Sequence, residues 1–330
     1  MRAGLPQRVY ACLADGRVHS GEQLAQCLGL TRSAVWKAVA QLRRLGMDIE
    51  AAPRRGYRLR TPKRPLDAAA ILGLLPTAAR STIRRLDVAW SLPSTNTKLM
   101  AVTDLPPGRC DVLLSEHQSA GRGRRSRSWL APPGGAICLS IGWCFHALPA
   151  EIGALSLAVG VVTLRVLAAL GDWPLALKWP NDLVVAGRKL GGILIELRAE
   201  AAGPAYVVIG IGINVSLGEA LSSALRAGGA EPIDLQTLGL TDCDRNRVVA
   251  NLIDELLRAL PEFERNGFRS FAGEWTAADA LRDRPVTVSS AGGDAAGVAC
   301  GIDGQGALCV RTAAGLQHFH AGVVSVRPTP

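Results

Sequence analysis

The segment Ala120-Gly121-Arg122-Gly123-Arg124-Arg125-Ser126-Arg127-Ser128-Trp129 packs four guanidinium groups and two glycines into one short run. Glycine lets backbone N–H groups come close to an anion. Arginine offers planar donor forks that match phosphate or carboxylate, and an indole offers a flat face to a base or a cation. These residue types point to a negatively charged, nucleotide-like ligand. By itself the run equally fits a flexible segment that touches RNA phosphates, or a solvated basic loop.

The flanks favour a folded site, because residues 110–116 and 136–143 are apolar runs that read as buried strands. Four further strings carry polar or charged groups near such runs. Ser94-Thr95-Asn96, with Gln118 further on, can offer hydroxyl and amide groups; read bare, it is a turn or a helix cap. Lys178-Trp179-Pro180-Asn181-Asp182 has a stiff Trp-Pro step that places Asn181 and Asp182, and a turn in which Asp182 holds Lys178 or Lys189 accounts for it. Lys189 precedes Leu190-Gly191-Gly192-Ile193-Leu194-Ile195-Glu196, at the edge of a predicted strand. Gly210-Ile211-Gly212-Ile213-Asn214 is a G-x-G step of the kind that often marks close packing alone.

The elements that must position these groups fall into three units. Residues 1–62 read as three short helices and a hairpin, the winged helix-turn-helix pattern. Ser20 and Gln23 form a capping box, Gly29 makes the turn, and Thr31 caps a third helix to about residue 45. On that helix Arg32, Ser33, Trp36 and Lys37 look outward as candidate readers of a DNA groove, with Trp36 equally able to pack on a neighbouring domain. Predicted strands at 49–52 and 56–59 flank a basic wing containing Arg54 and Arg55. Residues 61–65, with two prolines, read as a linker. Residues 67–277 read as a central domain of helices and strands, with helices over 152–170 and 245–266. Residues 283–330 carry short strands at 285–289, 297–302, 308–312 and 316–321 between Gly-rich turns such as 291–294, the pattern of a small β-barrel. The fold class is α+β and multidomain.

Charge supports that division. Residues 1–65 hold 13 Lys and Arg against 4 Asp and Glu, a surplus equal to the +9 of the whole 330-residue chain. The rest is neutral, as expected for a nucleic-acid-binding module joined to a neutral partner. Charged residues interrupt most apolar stretches before they reach membrane-spanning length, and the N-terminal residues lack a signal-peptide core; a cytoplasmic protein without a membrane partner is expected. Eight scattered cysteines, with no C-x-x-C pair and no Cys/His cluster at zinc spacing, are expected to be buried, reduced thiols.

Taken in order, these strings resemble the biotin protein ligase family over nearly the whole chain, including the helix-turn-helix of its bifunctional members. The resemblance implies a central biotin/lipoate ligase-like domain and a C-terminal SH3-like barrel. It implies an enzyme that joins biotin to ATP as biotinyl-5′-AMP and passes the biotinyl group to a lysine of a biotin carboxyl carrier protein. It also implies a repressor that binds operator DNA as a homodimer once the adenylate forms. Lys189, Arg124 and Arg122 match the catalytic positions. Ser94, Thr95, Asn96, Gln118, Gly121, Arg122, Gly123, Arg124, Lys189, Gly192 and Leu194 match the biotin side. Arg124, Arg127, Trp129, Lys178, Asn181, Ile213 and Asn214 match the adenylate side, and Asp182 the Mg²⁺ side. Ser126 stands where the family usually has glycine, and Leu130 and Ala131 replace the more usual aromatic residue and serine. A lipoate or octanoate ligase, and a ligand-sensing transcription factor without turnover, are the alternatives.

Overall fold

The computed structural model of the chain describes residues 4–52, 55–199, 203–290, 293–321 and 325–328. The N-terminal unit holds α1 (Leu5–Leu13), α2 (Gly21–Leu28), α3 (Arg32–Arg44), β1 (Ile49–Ala52) and β2 (Gly56–Leu59), close to the sequence expectation. The Ser20 hydroxyl accepts from the Gln23 N–H while the Gln23 side chain accepts from the Ser20 N–H, and Gly29 closes α2 in the left-handed region at φ 64°. Val35, Ala38, Val39 and Leu42 bury one face of α3. Its other face is open, with Trp36 60% exposed rather than packed on a neighbour. Arg55 is exposed at the wing; Arg54 lies outside the described residues.

The central unit comprises α4 (Ala68–Leu74), α5 (Thr77–Thr82), β3 (Ile83–Leu92), α6 (Thr95–Met100), β4 (Cys110–Gln118), β5 (Ala136–Phe145), α7 (Leu155–Ala168), β6 (Leu175–Lys178), β7 (Asp182–Val185), β8 (Arg188–Ala199), β9 (Ala205–Asn214), α8 (Glu219–Ala227), α9 (Arg245–Asn266) and α10 (Arg269–Ala277). Its strands form one sheet in the order β3-β4-β5-β9-β8-β7-β6. Only the β3–β4 pair is parallel. Strand period two splits the sheet into unlike faces. Val207, Ile209, Ile211 and Ile213 of β9 join the large core beneath α7 and α9. Tyr206 and Val208 point the other way, toward Leu99 of α6 and Leu105.

The C-terminal strands β10 (Pro285–Ser290), β11 (Gly293–Ile302), β12 (Leu308–Thr312), β13 (Gly315–Phe319) and β14 (Ser325–Pro328) form an antiparallel sheet in the order β13-β12-β11-β10-β14. Its outer strands, β13 and β14, do not pair with each other among the described residues. Positions 291 and 292 of the predicted Gly-rich turn lie outside the described residues. Among the described residues no helix is long and apolar enough to cross a membrane. Cys110, Cys138 and Cys144 are buried as expected; Cys27, by contrast, is exposed.

The predicted linker is pinned rather than free. Arg245, at the start of α9 and 2% exposed, donates to both Glu116 carboxylate oxygens at 2.8 and 3.1 Å and to the Arg64 carbonyl at 2.8 Å. Glu116 also accepts from the Leu66 N–H at 2.6 Å. The Tyr10 hydroxyl of α1 donates to the Lys63 carbonyl at 2.9 Å, and the Tyr10 ring packs on Trp90 with centroids 5.3 Å apart. The backbone carbonyls and N–H groups that prolines keep out of regular structure thus find side-chain partners from two domains. Removing one member of a buried, hydrogen-bonded ion pair strands the other charge. Arg245→Met is therefore expected to lower the unfolding free energy by about 3–5 kcal/mol, measured by denaturant titration. Loss of less than about 1 kcal/mol would contradict a structural role for the pair.

Candidate active site

The site is built on the sheet face away from α7 and α9. Register aligns Gly212 of β9 with Cys138 of β5 and Gly192 of β8, and Gly210 with Ser140 and Leu194. This gives a floor made mostly of small residues. A Cβ on Gly210 would lie 2.2 Å from Asn96 Oδ1, and one on Gly212 would lie 2.6 Å from the Trp129 indole. The glycines therefore make room for two specific side chains, and the G-x-G step has a packing role at this site.

Ser94, Thr95 and Asn96 are nearly fully buried at the start of α6. Ser94 is the helix cap, accepting from the Thr97 N–H at 3.4 Å. Thr95 donates to Gln118 Oε1 through its N–H at 2.8 Å and its hydroxyl at 3.1 Å. Asn96 Nδ2 donates to Glu196 Oε2 at 3.0 Å, and Asn96 Oδ1 accepts from the Ser140 hydroxyl at 2.6 Å. Ser140 and Glu196 were not among the sequence-derived candidates. Glu196 alternates with Gly192 and Leu194 on β8, which is the signal that could have found it, while Ser140 is the one hydroxyl in the otherwise apolar run of β5.

The Arg/Gly loop crosses this floor. Trp129 donates its backbone N–H to the Gly121 carbonyl at 2.9 Å, and a Cβ on Gly121 would lie 2.3 Å from the Trp129 carbonyl. The Gly123 N–H is taken by the Arg127 carbonyl at 2.7 Å, so it is engaged within the loop. Arg125 and Ser126 both adopt the left-handed region, at φ 55° and 57°. Each costs about 1–2 kcal/mol for a residue with a Cβ, which is the physical content of serine in place of glycine at 126. Between the loop at 120–128 and Leu194 and Glu196 of β8 lies a cavity of 480 Å³, lined by Gly121, Arg122, Gly123, Arg124 and Arg127.

Arg122 and Arg124, which line the cavity, and Lys189, beside Trp129, have protein acceptors. Arg122 pairs with Glu196 at 2.9 Å and donates to the Thr97 hydroxyl at 3.2 Å. Lys189 pairs with Asp182 at 2.6 Å and sits 6.0 Å from the Trp129 ring centroid. Arg124 donates to Asn181 Oδ1 at 3.2 Å and to the Ala321 carbonyl of the C-terminal unit. Burial holds its pKa below the usual guanidinium value; Asp182 opposes that shift, and Arg125 and Arg127 add to it. Asn181 in turn donates to the Ile193 carbonyl at 2.7 Å, tying the Trp-Pro turn to β8. Lys178 is half-buried opposite Asp182 in the β6–β7 register. Ile213 is fully buried on the helix-covered face. Asn214 donates to the carbonyls of Lys189 and Ile233 at 3.2 and 3.0 Å, so neither of these two side chains borders the cavity.

Such an arrangement can hold a ligand with a polar, hydrogen-bonding end over Asn96 and Ser140 and an anionic end among Arg122, Arg124 and Lys189. The profile of the Biotin/lipoate A/B protein ligase family matches residues 88–214, an HTH domain profile matches residues 7–58, and the Biotin protein ligase C terminal domain matches residues 283–327. The chain is 37% identical, over 98% of its length and 97% of the relative's, to the Bifunctional ligase/repressor BirA of Escherichia coli K12. It is 38% identical, over 74% of its length and 90% of the relative's, to the Biotin--[acetyl-CoA-carboxylase] ligase of Mycobacterium tuberculosis. The fold of the biotin protein ligase from Aquifex aeolicus, solved with biotin and ATP, covers 74% of this chain and 100% of that one with a TM-score of 0.62 at 24% identity. The chain belongs to the biotin protein ligase family, in the branch that carries an N-terminal helix-turn-helix domain.

Proposed function

We propose that this protein activates biotin with ATP, transfers the biotinyl group to a lysine of a carrier protein, and represses transcription through its N-terminal domain when the adenylate is bound. The observation that carries the enzymatic part is the convergence of Thr95, Asn96, Ser140, Arg122, Arg124, Lys189 and Trp129 over one face of a single sheet. A ureido ring offers one carbonyl and two N–H groups, and the cluster in which Asn96 joins Ser140 at 2.6 Å to Glu196 at 3.0 Å supplies both acceptors and donors. Neither the dithiolane ring of lipoate nor the alkyl chain of octanoate can use those groups, so their desolvation counts against those acids.

In the first step the biotin carboxylate oxygen attacks the α-phosphorus, forming the mixed anhydride and displacing pyrophosphate. Two anions are brought together, and Lys189, Arg122 and Arg124 offset that charge from three directions. For each, the ligand replaces an existing acceptor: Asp182, Glu196, or the Asn181 and Ala321 oxygens. Trp129, seated on Gly212, offers its ring to the adenine, and Arg127 and Lys178 add charge at the phosphates. Asp182 and Asn181 present hard oxygens on consecutive residues. Asp182 is the one that would share Mg²⁺ with the nucleotide, where the ion neutralises phosphate charge. In the second step the carrier lysine, as free amine, attacks the acyl carbon and AMP leaves. Asp182 is placed to take the proton once Lys189 has turned to the ligand.

Purified protein given Mg-ATP with biotin should yield biotinyl-5′-AMP by mass spectrometry and then label a carrier domain, whereas lipoate should yield no adenylate. Lys189→Met should cut adenylate formation at least a hundredfold while leaving the unfolding midpoint close to wild type. An unchanged rate would remove Lys189 from the chemistry, and no adenylate from biotin in the wild type would leave a ligand-sensing DNA-binding protein. For the repressor part, operator affinity measured with and without biotin plus ATP should rise with ligand as the protein dimerises. Lys37→Ala on α3 should weaken operator binding by about 1–3 kcal/mol. Equal affinities in the presence and absence of ligand would contradict the regulatory reading.

A further inference from the structure

Three side chains of different elements meet on the C-terminal sheet, outside the cavity and unused by the chemistry above. Cys309 of β12 and His318 of β13 are register partners. Their Sγ and Nδ1 lie 3.7 Å apart, and His318 Nδ1 lies 2.8 Å from Oδ2 of Asp303, in the turn after β11. The three potential donor atoms all fall within 4.8 Å of one another. The sequence reading found no Cys/His cluster at zinc spacing; it is strand pairing that closes the gap between Cys309 and His318 and produces the cluster.

We propose that Asp303, Cys309 and His318 form a binding site for a zinc-type divalent cation. Thiolate, imidazole and carboxylate together select zinc over the hard cations magnesium and calcium. Zinc bonds of about 2.3 Å to sulfur and about 2.0–2.2 Å to nitrogen and oxygen put neighbouring ligand atoms of a tetrahedral site roughly 3.3–3.8 Å apart. The Cys309–His318 separation already falls in that range. The Asp303–His318 contact opens by a few tenths of an ångström as the metal takes the place of the proton between them. All three ligands are held in advance. Asp303 Oδ1 accepts from the N–H groups of Gln305 and Ala307 at 3.0 and 2.9 Å, which leaves Oδ2 aimed at the site. Cys309 and His318 are fixed by the β12–β13 ladder. His318 is the most exposed of the three, which gives the ion a way in and leaves the fourth position to water.

Binding releases the Cys309 thiol proton to solvent, and the proton on His318 Nδ1 leaves as well, so that the imidazole coordinates through Nδ1 and keeps a single proton on Nε2. Because the thiol must ionise to bind, the metal competes with protons at Cys309. The location gives the site a route to the active site. The Gly306 carbonyl of the Asp303 turn accepts from Trp179 Nε1 at 3.0 Å, and three residues beyond His318 the Ala321 carbonyl accepts from Arg124. A metal would therefore clamp together the two points at which this sheet touches the Trp-Pro turn and the Arg/Gly loop.

The test uses full-length, untagged protein titrated with Co²⁺ and then Zn²⁺. Expected are a thiolate-to-Co²⁺ charge-transfer band that saturates at one equivalent per chain, its bleaching by Zn²⁺, and its loss in both C309S and H318N. As a readout that needs no variant, one equivalent of Zn²⁺ should slow alkylation of Cys309, followed by peptide mass mapping, at least tenfold. A wild-type protein that shows no band and no protection of Cys309 overturns the proposal. So does a band that survives in folded C309S and H318N, with circular dichroism as the check of folding.

Discussion

A sheet that is to hold a polar ligand against its face must leave room there, and in this molecule the room comes from small side chains in two adjacent rows of the central strands. Gly210, Gly212, Gly192, Ser140 and Cys138 share one face, and Asn96 and Trp129 rest where any Cβ on Gly210 or Gly212 would stand. The reverse face carries Ile209, Ile211 and Ile213 into the main core. One strand thus does two jobs by alternation: it anchors the sheet beneath α7 and α9, and it lowers the floor on the other side. Everything around the cavity follows from that floor. Asn96 can be buried because Gly210 yields to it, and the Arg/Gly loop can lie down because Trp129 finds Gly212.

Clustering cations is the second constraint, since Arg122 and Arg124 at the cavity and Lys189 beside Trp129 repel one another unless each has a counterpart. The fold provides counterparts from separate stretches of chain: Glu196 on β8, Asp182 on β7, and the Ala321 carbonyl beyond β13. A ligand with carboxylate and phosphate groups competes for these cations rather than meeting them bare. The same economy holds at the domain joint, where the buried Arg245–Glu116 pair also fastens the proline-rich segment and adjoins Tyr10 of the N-terminal unit. Glu116 and Gln118 lie on one strand, so the joint and the floor of the cavity share a rigid element.

Much of this was legible in the sequence. The helix-turn-helix, with its capping box and its strands at 49–52 and 56–59, follows from local signals, as does α9 over 245–266. The Arg/Gly run stands out by residue type, Lys189 by its place before an apolar strand, and the Ser-Thr-Asn string only by the family resemblance, since bare it reads as a helix cap. What escaped depends on pairing between distant segments. The floor is invisible until register sets Ser140 beside Gly210. Arg245 stands one helical turn before Val248 and Val249, on the apolar face of α9, and that position was the available sign of a buried charge. The Cys309–His318 pair likewise requires a strand register that spacing alone does not supply. The segment at 61–65 lacks helix and strand, as its prolines require, and its fixed contacts are a feature that prolines neither forbid nor announce.

The claim that small residues on this face create the biotin site is tested most directly by calorimetric titration of wild-type protein and Gly210→Ala with biotin. The added methyl would stand 2.2 Å from Asn96 Oδ1 and must displace it. Biotin affinity is expected to fall at least tenfold in the variant, which still unfolds cooperatively as a folded protein. Equal affinity in the two proteins would contradict it.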